Sequence, residues 1–208
     1  MVFHKKTVRD VPVDGSTILV RVNYDLPLDI DGKIADDLWI RSSLPTIEYL
    51  LDRDCKVIVV SHFGKPLNRD KKYSLEPAAA RLAQLLQRDI RFVGDVTGDR
   101  VLQAIKRSPK KGVVVLENLR FHSGEEINNL DFARDLIRST GARYFVQDSI
   151  GVANNKFAST DAISLFVPSV AGITLEADYN TILRTIELTG SKNKINLPGV
   201  DVLLDAGR

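Results

Sequence analysis

A single cysteine, Cys55, stands in these 208 residues, so no internal disulfide can brace the chain. It directly precedes an apolar run, which reads it as core filler rather than a reactive thiol. Histidine is nearly as scarce. His4, His62 and His122 lack metal-ligand spacing, and no second cysteine can join them. Neither sign of charge dominates: 29 Lys and Arg against 27 Asp and Glu leave a net +2, too little to argue for a nucleic-acid partner. No apolar run approaches a membrane span, and Met-Val-Phe-His-Lys-Lys at the start has no apolar signal core. No membrane partner and a cytoplasmic location are therefore expected. Also missing are the phosphate loops Gly-x-x-x-x-Gly-Lys-Ser/Thr and Gly-x-Gly-x-x-Gly, and the nucleophile elbow Gly-x-Ser-x-Gly. A nucleotide site of any common kind is thus not written here. There is no internal repeat and no low-complexity tract.

What is present is rhythm. Hydrophobic residues at 44% and charged residues at 27% suit an ordinary globular protein of one large α/β domain or two small ones. Apolar, β-branched runs predict strands at 17–22, 57–60, 90–93, 113–116 and 142–146. Between them, helical periodicity covers about 40–51, 99–105 and 130–137, the last closed by Gly141. A further helix starts where Ser74 can act as a cap and Pro77 sits in the first turn, then repeats Ala79, Leu82, Ala83, Leu85 and Leu86. Such alternation implies right-handed crossovers and a three-layer α/β/α, Rossmann-like domain with a mostly parallel sheet. The expected division is a domain over 1–173, a helix over 174–190 and a linker with a tail over 191–208. The apolar positions Leu197, Val200, Leu203 and Leu204 lead us to expect that 195–204 packs back on the domain.

Two strands end in loops that carry a histidine and a cation. Val57 to Val60 leads into Ser61-His62-Phe63-Gly64-Lys65-Pro66, and Val113 to Leu116 leads into Glu117-Asn118-Leu119-Arg120-Phe121-His122. Open α/β sheets bind ligands beyond the carboxyl ends of their strands. The candidates there are Arg21, Asn23, Asp25, His62, Lys65, Arg120 and His122. Arginine forks match phosphate or carboxylate oxygens, and lysine acts as a point charge, so a small, multiply charged anion is the expected ligand. Each cation could instead be a solvated surface group, and His62 a loop histidine bonded to backbone.

These loops resemble the N-terminal domain of the phosphoglycerate kinase family. The likeness runs from about Thr7 to Glu176. It is carried by Asp31-Gly32-Lys33-Ile34, Asp36-Asp37, Ile40-Arg41, Leu44-Pro45-Thr46-Ile47, Ser61-His62, Leu116 to His122, Gly124-Glu125-Glu126, Ala158-Ser159-Thr160 and Pro168-Ser169-Val170-Ala171-Gly172. The resemblance implies that this half holds 3-phosphoglycerate, while ATP or ADP with magnesium would belong to a nucleotide domain of which nothing after Gly172 is reminiscent. No cofactor is expected in this chain. The ending Leu197-Pro198-Gly199-Val200 resembles the family's extreme C-terminus.

Departures fall on charge-bearing positions. Carried over by motif, Arg21, His62 and Arg120 stay. The family's Arg-Val-Asp-Phe-Asn is Arg21-Val22-Asn23-Tyr24-Asp25, so acid and amide have exchanged places. Trp39 replaces the arginine that steadies the transferring phosphoryl group. Lys65 replaces an arginine, and Asn154, Asn155 and Phe157 stand in a stretch that loses two histidines and one arginine. Phosphoryl transfer depends on positioning and electrostatics, and one lost preorganised charge costs roughly 10²-fold or more. The chain is therefore expected to bind a small phosphorylated acid weakly and not to catalyse alone. Two alternatives are an active kinase half working with a separate nucleotide-binding domain, and a protein-interaction module built on Trp39 and Phe157.

Overall fold

A computed structural model describes residues 3 and 5–189, with 186–189 as backbone only. Six strands form one sheet: β1 (Thr17–Arg21), β2 (Lys56–Val60), β3 (Ile90–Val93), β4 (Val113–Leu116), β5 (Tyr144–Gln147) and β6 (Ser169–Ala171). Their order is β3-β4-β2-β1-β5-β6 and every neighbouring pair is parallel. Side chains alternate across a strand, so each strand supplies both faces. Ile18, Val20, Val57, Val59, Val113 and Val115 fill one core, and Leu19, Ile58, Val60, Val114 and Leu116 fill the other.

Helices cover both faces. α1 (Leu38–Ser42), α2 (Leu44–Asp52) and α3 (Glu76–Leu86) lay Ile40, Ile47, Leu50 and Leu82 on the first core. α4 (Asp99–Arg107) and α5 (Leu130–Thr140) lay Val101, Ile105, Phe132 and Leu136 on the second. The three-layer α/β/α fold is the one expected from the sequence. Cys55 is fully buried in the first core, where burial pushes its thiol pKa up and its Sγ–H meets Val13 O at 3.0 Å.

Two local expectations need correction. The helix over 40–51 is two helices, because Pro45 has no N–H to continue α1 and instead opens α2. Ser43, at the break, donates its hydroxyl to Ile40 O and meets Tyr24 Oη at 2.8 Å. Ser74 does not occupy the cap position of α3, which is Leu75; its Oγ accepts from Glu76 N and donates to Glu117 Oε2. Two elements were not anticipated, β6 and the one-turn α6 (Ile150–Ala153), both too short to show a period.

The longest helix, α7 (Ile173–Thr189), begins against β5. Asp148 Oδ1 accepts from Thr46 Oγ1 at 2.7 Å and from Thr174 N at 3.0 Å, so a buried carboxylate caps the helix. Gly172 permits this approach, since a Cβ there would lie 1.9 Å from Asp148 Oδ1. The expected fold-back of 195–204 lies outside the described residues.

Candidate functional site

The chain leaves β1 toward β2, β3 and β4 on one side and reaches β5 and β6 on the other. The loops after β1, β2 and β4 therefore meet beside a reversal of strand order, the usual ligand position in such sheets. Asn118 stitches two of them together. Its Oδ1 accepts from Phe63 N and Arg120 N, and its Nδ2 donates to Phe63 O and Tyr73 O. Gly64 sits at the junction with φ +59°, and a Cβ there would lie 2.4 Å from the Tyr73 ring. Gly64→Ala should thus displace the ring or the loop, lowering stability by about 1–3 kcal/mol and weakening any ligand bound by Arg120. Thermal melts with binding titrations check this.

Arg21 lies inside the protein rather than on its surface. It is wholly buried, and its Nε donates to Ser159 Oγ at 3.0 Å, its Nη1 to Val22 O, and its Nη2 to His62 Nδ1 at 2.9 Å. Ser159 in turn bonds Glu125, through Oγ to Oε1 at 2.5 Å and through its amide to Oε2 at 3.0 Å. Glu125 is the buried counter-charge of Arg21. Desolvation lowers the Arg21 pKa to about 10, so it stays charged at neutral pH.

Arginine only donates, so the bond from Arg21 makes His62 Nδ1 the acceptor and leaves the proton on Nε2. Burial, with Arg21 and Arg120 nearby, drives the His62 pKa down to about 2, and the ring is neutral. The 3.7 Å approach of His62 Nε2 to Asp25 Oδ2 is therefore a dipole facing a carboxylate, not an ion pair. Asp25 Oδ1 accepts from Gly64 N at 2.7 Å. Asn23 is partly exposed and accepts from Asp25 N at 3.2 Å.

Arg120 is the cation presented to this cluster. It donates from Nη1 to Gly64 O at 2.5 Å, and its guanidinium lies 5.5 Å from the Phe157 ring centroid. Its Nε is 2.9 Å from Glu126 Oε1, yet this N–H is buried without a properly aligned acceptor. Lys65 follows Gly64, so its backbone adjoins Arg120, and its side chain is exposed. His122 belongs elsewhere: its ring stacks on Phe132 with centroids 4.0 Å apart, and it lines a separate cleft with Arg69, Asp95, Thr97 and Glu117. Trp39 is 43% exposed on α1 and joins neither core. Asn154 caps the end of α6, and Asn155 is exposed beside it.

Glu125, Glu126, Ser159, Phe157 and Asn118 are not legible in the loop sequences as partners of the cations. Only the adjacency of Glu125 and Glu126 to the Arg120 loop hinted at them.

Residues 8–195 match the family model described as "Phosphoglycerate kinase". The chain is similar to the phosphoglycerate kinase of Aquifex aeolicus, 46% identical over 175 residues that cover 84% of this chain and 44% of that one. With the phosphoglycerate kinase of Acaryochloris marina it shares 38% over 215 residues, covering 97% of this chain and 53% of the relative. Its fold is similar to the crystal structure of phosphoglycerate kinase from Pyrococcus horikoshii, with TM-score 0.77, 28% identity, and 86% and 45% of the two chains covered. The chain spans about half the length of the curated relatives it matches. On this evidence the chain belongs to the phosphoglycerate kinase family.

Proposed function

We propose that this chain binds a small phosphorylated acid of the 3-phosphoglycerate kind, weakly, and does not transfer phosphate by itself. The observation that carries the reading is Arg120. Anchored by Nη1 on Gly64 O and by Nε beside Glu126, it is a held guanidinium whose Nη2 makes no hydrogen bond among the described residues. The neutral His62 supplies a further N–H in the same loop cluster. Catalysis needs charge that follows a moving phosphoryl group, and Trp39, Asn154 and Asn155 hold none. Among the described residues no three His, Cys, Asp or Glu are grouped to hold a metal. No residue here is assigned to magnesium or to a nucleotide, which the family resemblance places in another domain.

Calorimetry with 3-phosphoglycerate should give weak, salt-sensitive binding that Arg120→Ala abolishes. Binding unchanged in that variant would refute the site, and turnover with ADP or magnesium-ATP above background would refute the inactivity. Exposed Leu38, Trp39 and Leu67 favour a second reading, a half that works against a separate nucleotide-binding domain. A kinase assay with that domain supplied tests it.

A further inference from the structure

We propose that Asp25 is a built-in counter-anion of the Arg120 site, holding its affinity for multiply charged anions down. The inference rests on the reading of this cluster as an anion site. Where the family resemblance places an amide, this chain carries a carboxylate. That carboxylate does not point idly into solvent. Its Oδ1 takes the Gly64 N–H at 2.7 Å, and its Oδ2 stands 3.7 Å from the protonated Nε2 of His62. A backbone N–H in a tight turn and a neutral imidazole N–H are the kind of donors that an incoming oxyanion uses. Asp25 already faces both.

The charges of the cluster support the same conclusion. Arg21 is balanced by buried Glu125, and Arg120 lies 2.9 Å from Glu126. His62 is neutral, and Asp25 adds a further negative charge. With exposed Lys65 as the third cation against these three carboxylates, a patch that looks strongly basic in the sequence is nearly compensated in the fold. An anion entering beside Gly64 must either displace the Asp25 carboxylate or lie against it. Asp25 is about half exposed at its side chain, so it can be displaced, at a cost that grows with the ligand's charge. An amide at the same place would keep an acceptor for Gly64 N–H without the repulsion. Asp25 is in this sense a residue that selects against dianions rather than a ligand for them.

The test is calorimetry on the full chain at low ionic strength, with inorganic phosphate and with 3-phosphoglycerate as probes. Asp25→Asn isolates the charge, because its amide oxygen can still accept from Gly64 N. Asp25→Ala also frees that N–H. Both variants should melt with the parent chain and bind each probe about tenfold more tightly, with the gain shrinking as salt is added. In Asp25→Asn combined with Arg120→Ala the gain should vanish. A parent chain that binds measurably while Asp25→Asn binds no better overturns the counter-anion and leaves the anion site standing. A gain that survives loss of Arg120 overturns it too, since the charge would be acting elsewhere. Absence of binding by the parent and by every variant overturns the anion site itself, and this inference with it.

Discussion

Arg21→Met should cost about 3–5 kcal/mol of unfolding free energy at neutral pH, because it strands the Glu125 carboxylate without its buried counter-charge. Glu125 and Arg21 are both fully buried, and Ser159 bridges them. Against a net stability of about 5–15 kcal/mol, such a loss is a large fraction of the whole. Burial already pushes the Glu125 pKa up while Arg21 holds it down, so removing Arg21 should drive the carboxyl to take up a proton. Urea unfolding curves across pH check both parts. The deficit should narrow as the pH is lowered and Glu125 becomes neutral. Combining Arg21→Met with Glu125→Gln should recover most of the loss, because no charge is then left unpaired. A single variant as stable as the parent chain at pH 7 would show that the pair is not a structural one.

Arg21 also marks the limit of what the sequence makes legible. The strands were legible because β-branched runs such as Val57 to Val60 have few other fates, and the parallel sheet followed from what lies between them. Gly141 closed α5 as a left-handed cap should, with φ +61°. Arg21 was harder. An arginine at the end of a strand looks like a ligand group, and it becomes an internal girder only through Glu125 and Ser159, which arrive from loops far along the chain. His62 is similar: its tautomer and its neutrality are set by Arg21, not by its neighbours in sequence. Family likeness supplied the positions of the cations, but motif wording carries no information about which carboxylates face them. Local pattern specifies elements, whereas the net charge of a site is a tertiary quantity.

Asp148→Asn should gain stability relative to the parent chain as the pH rises from about 4 to 7. The carboxyl is almost wholly buried, and desolvation raises its pKa from 3.8 to about 7 despite the bonds from Thr46 Oγ1 and Thr174 N that favour the charged form. Asp178 on α7 pushes in the same direction by repulsion, and Tyr24, whose own pKa is raised by burial, stays neutral throughout. In the unfolded chain this aspartate loses its proton near pH 3.9. Between about pH 4 and 7 the folded group therefore holds a proton that the unfolded one has released, and its contribution to stability drops with rising pH until it also ionises, while His62, neutral in the fold, contributes in the opposite sense up to about pH 6.5. Above about pH 7 this slope disappears. Asp148→Asn keeps the oxygen that accepts from Thr46 and Thr174 and removes the buried charge. The variant's advantage over the parent should grow from little at pH 4 to roughly 2–4 kcal/mol at pH 8. The exchange puts an Nδ2H2 group where Oδ2 has no hydrogen-bond partner, and these unmatched donors offset part of the gain. Thermal or urea unfolding at pH 4, 6 and 8 measures this directly. A difference between the two chains that does not grow between pH 4 and 8, or an Asn variant weaker at pH 8, would mean that the helix N-terminus stabilises the carboxylate more than burial penalises it.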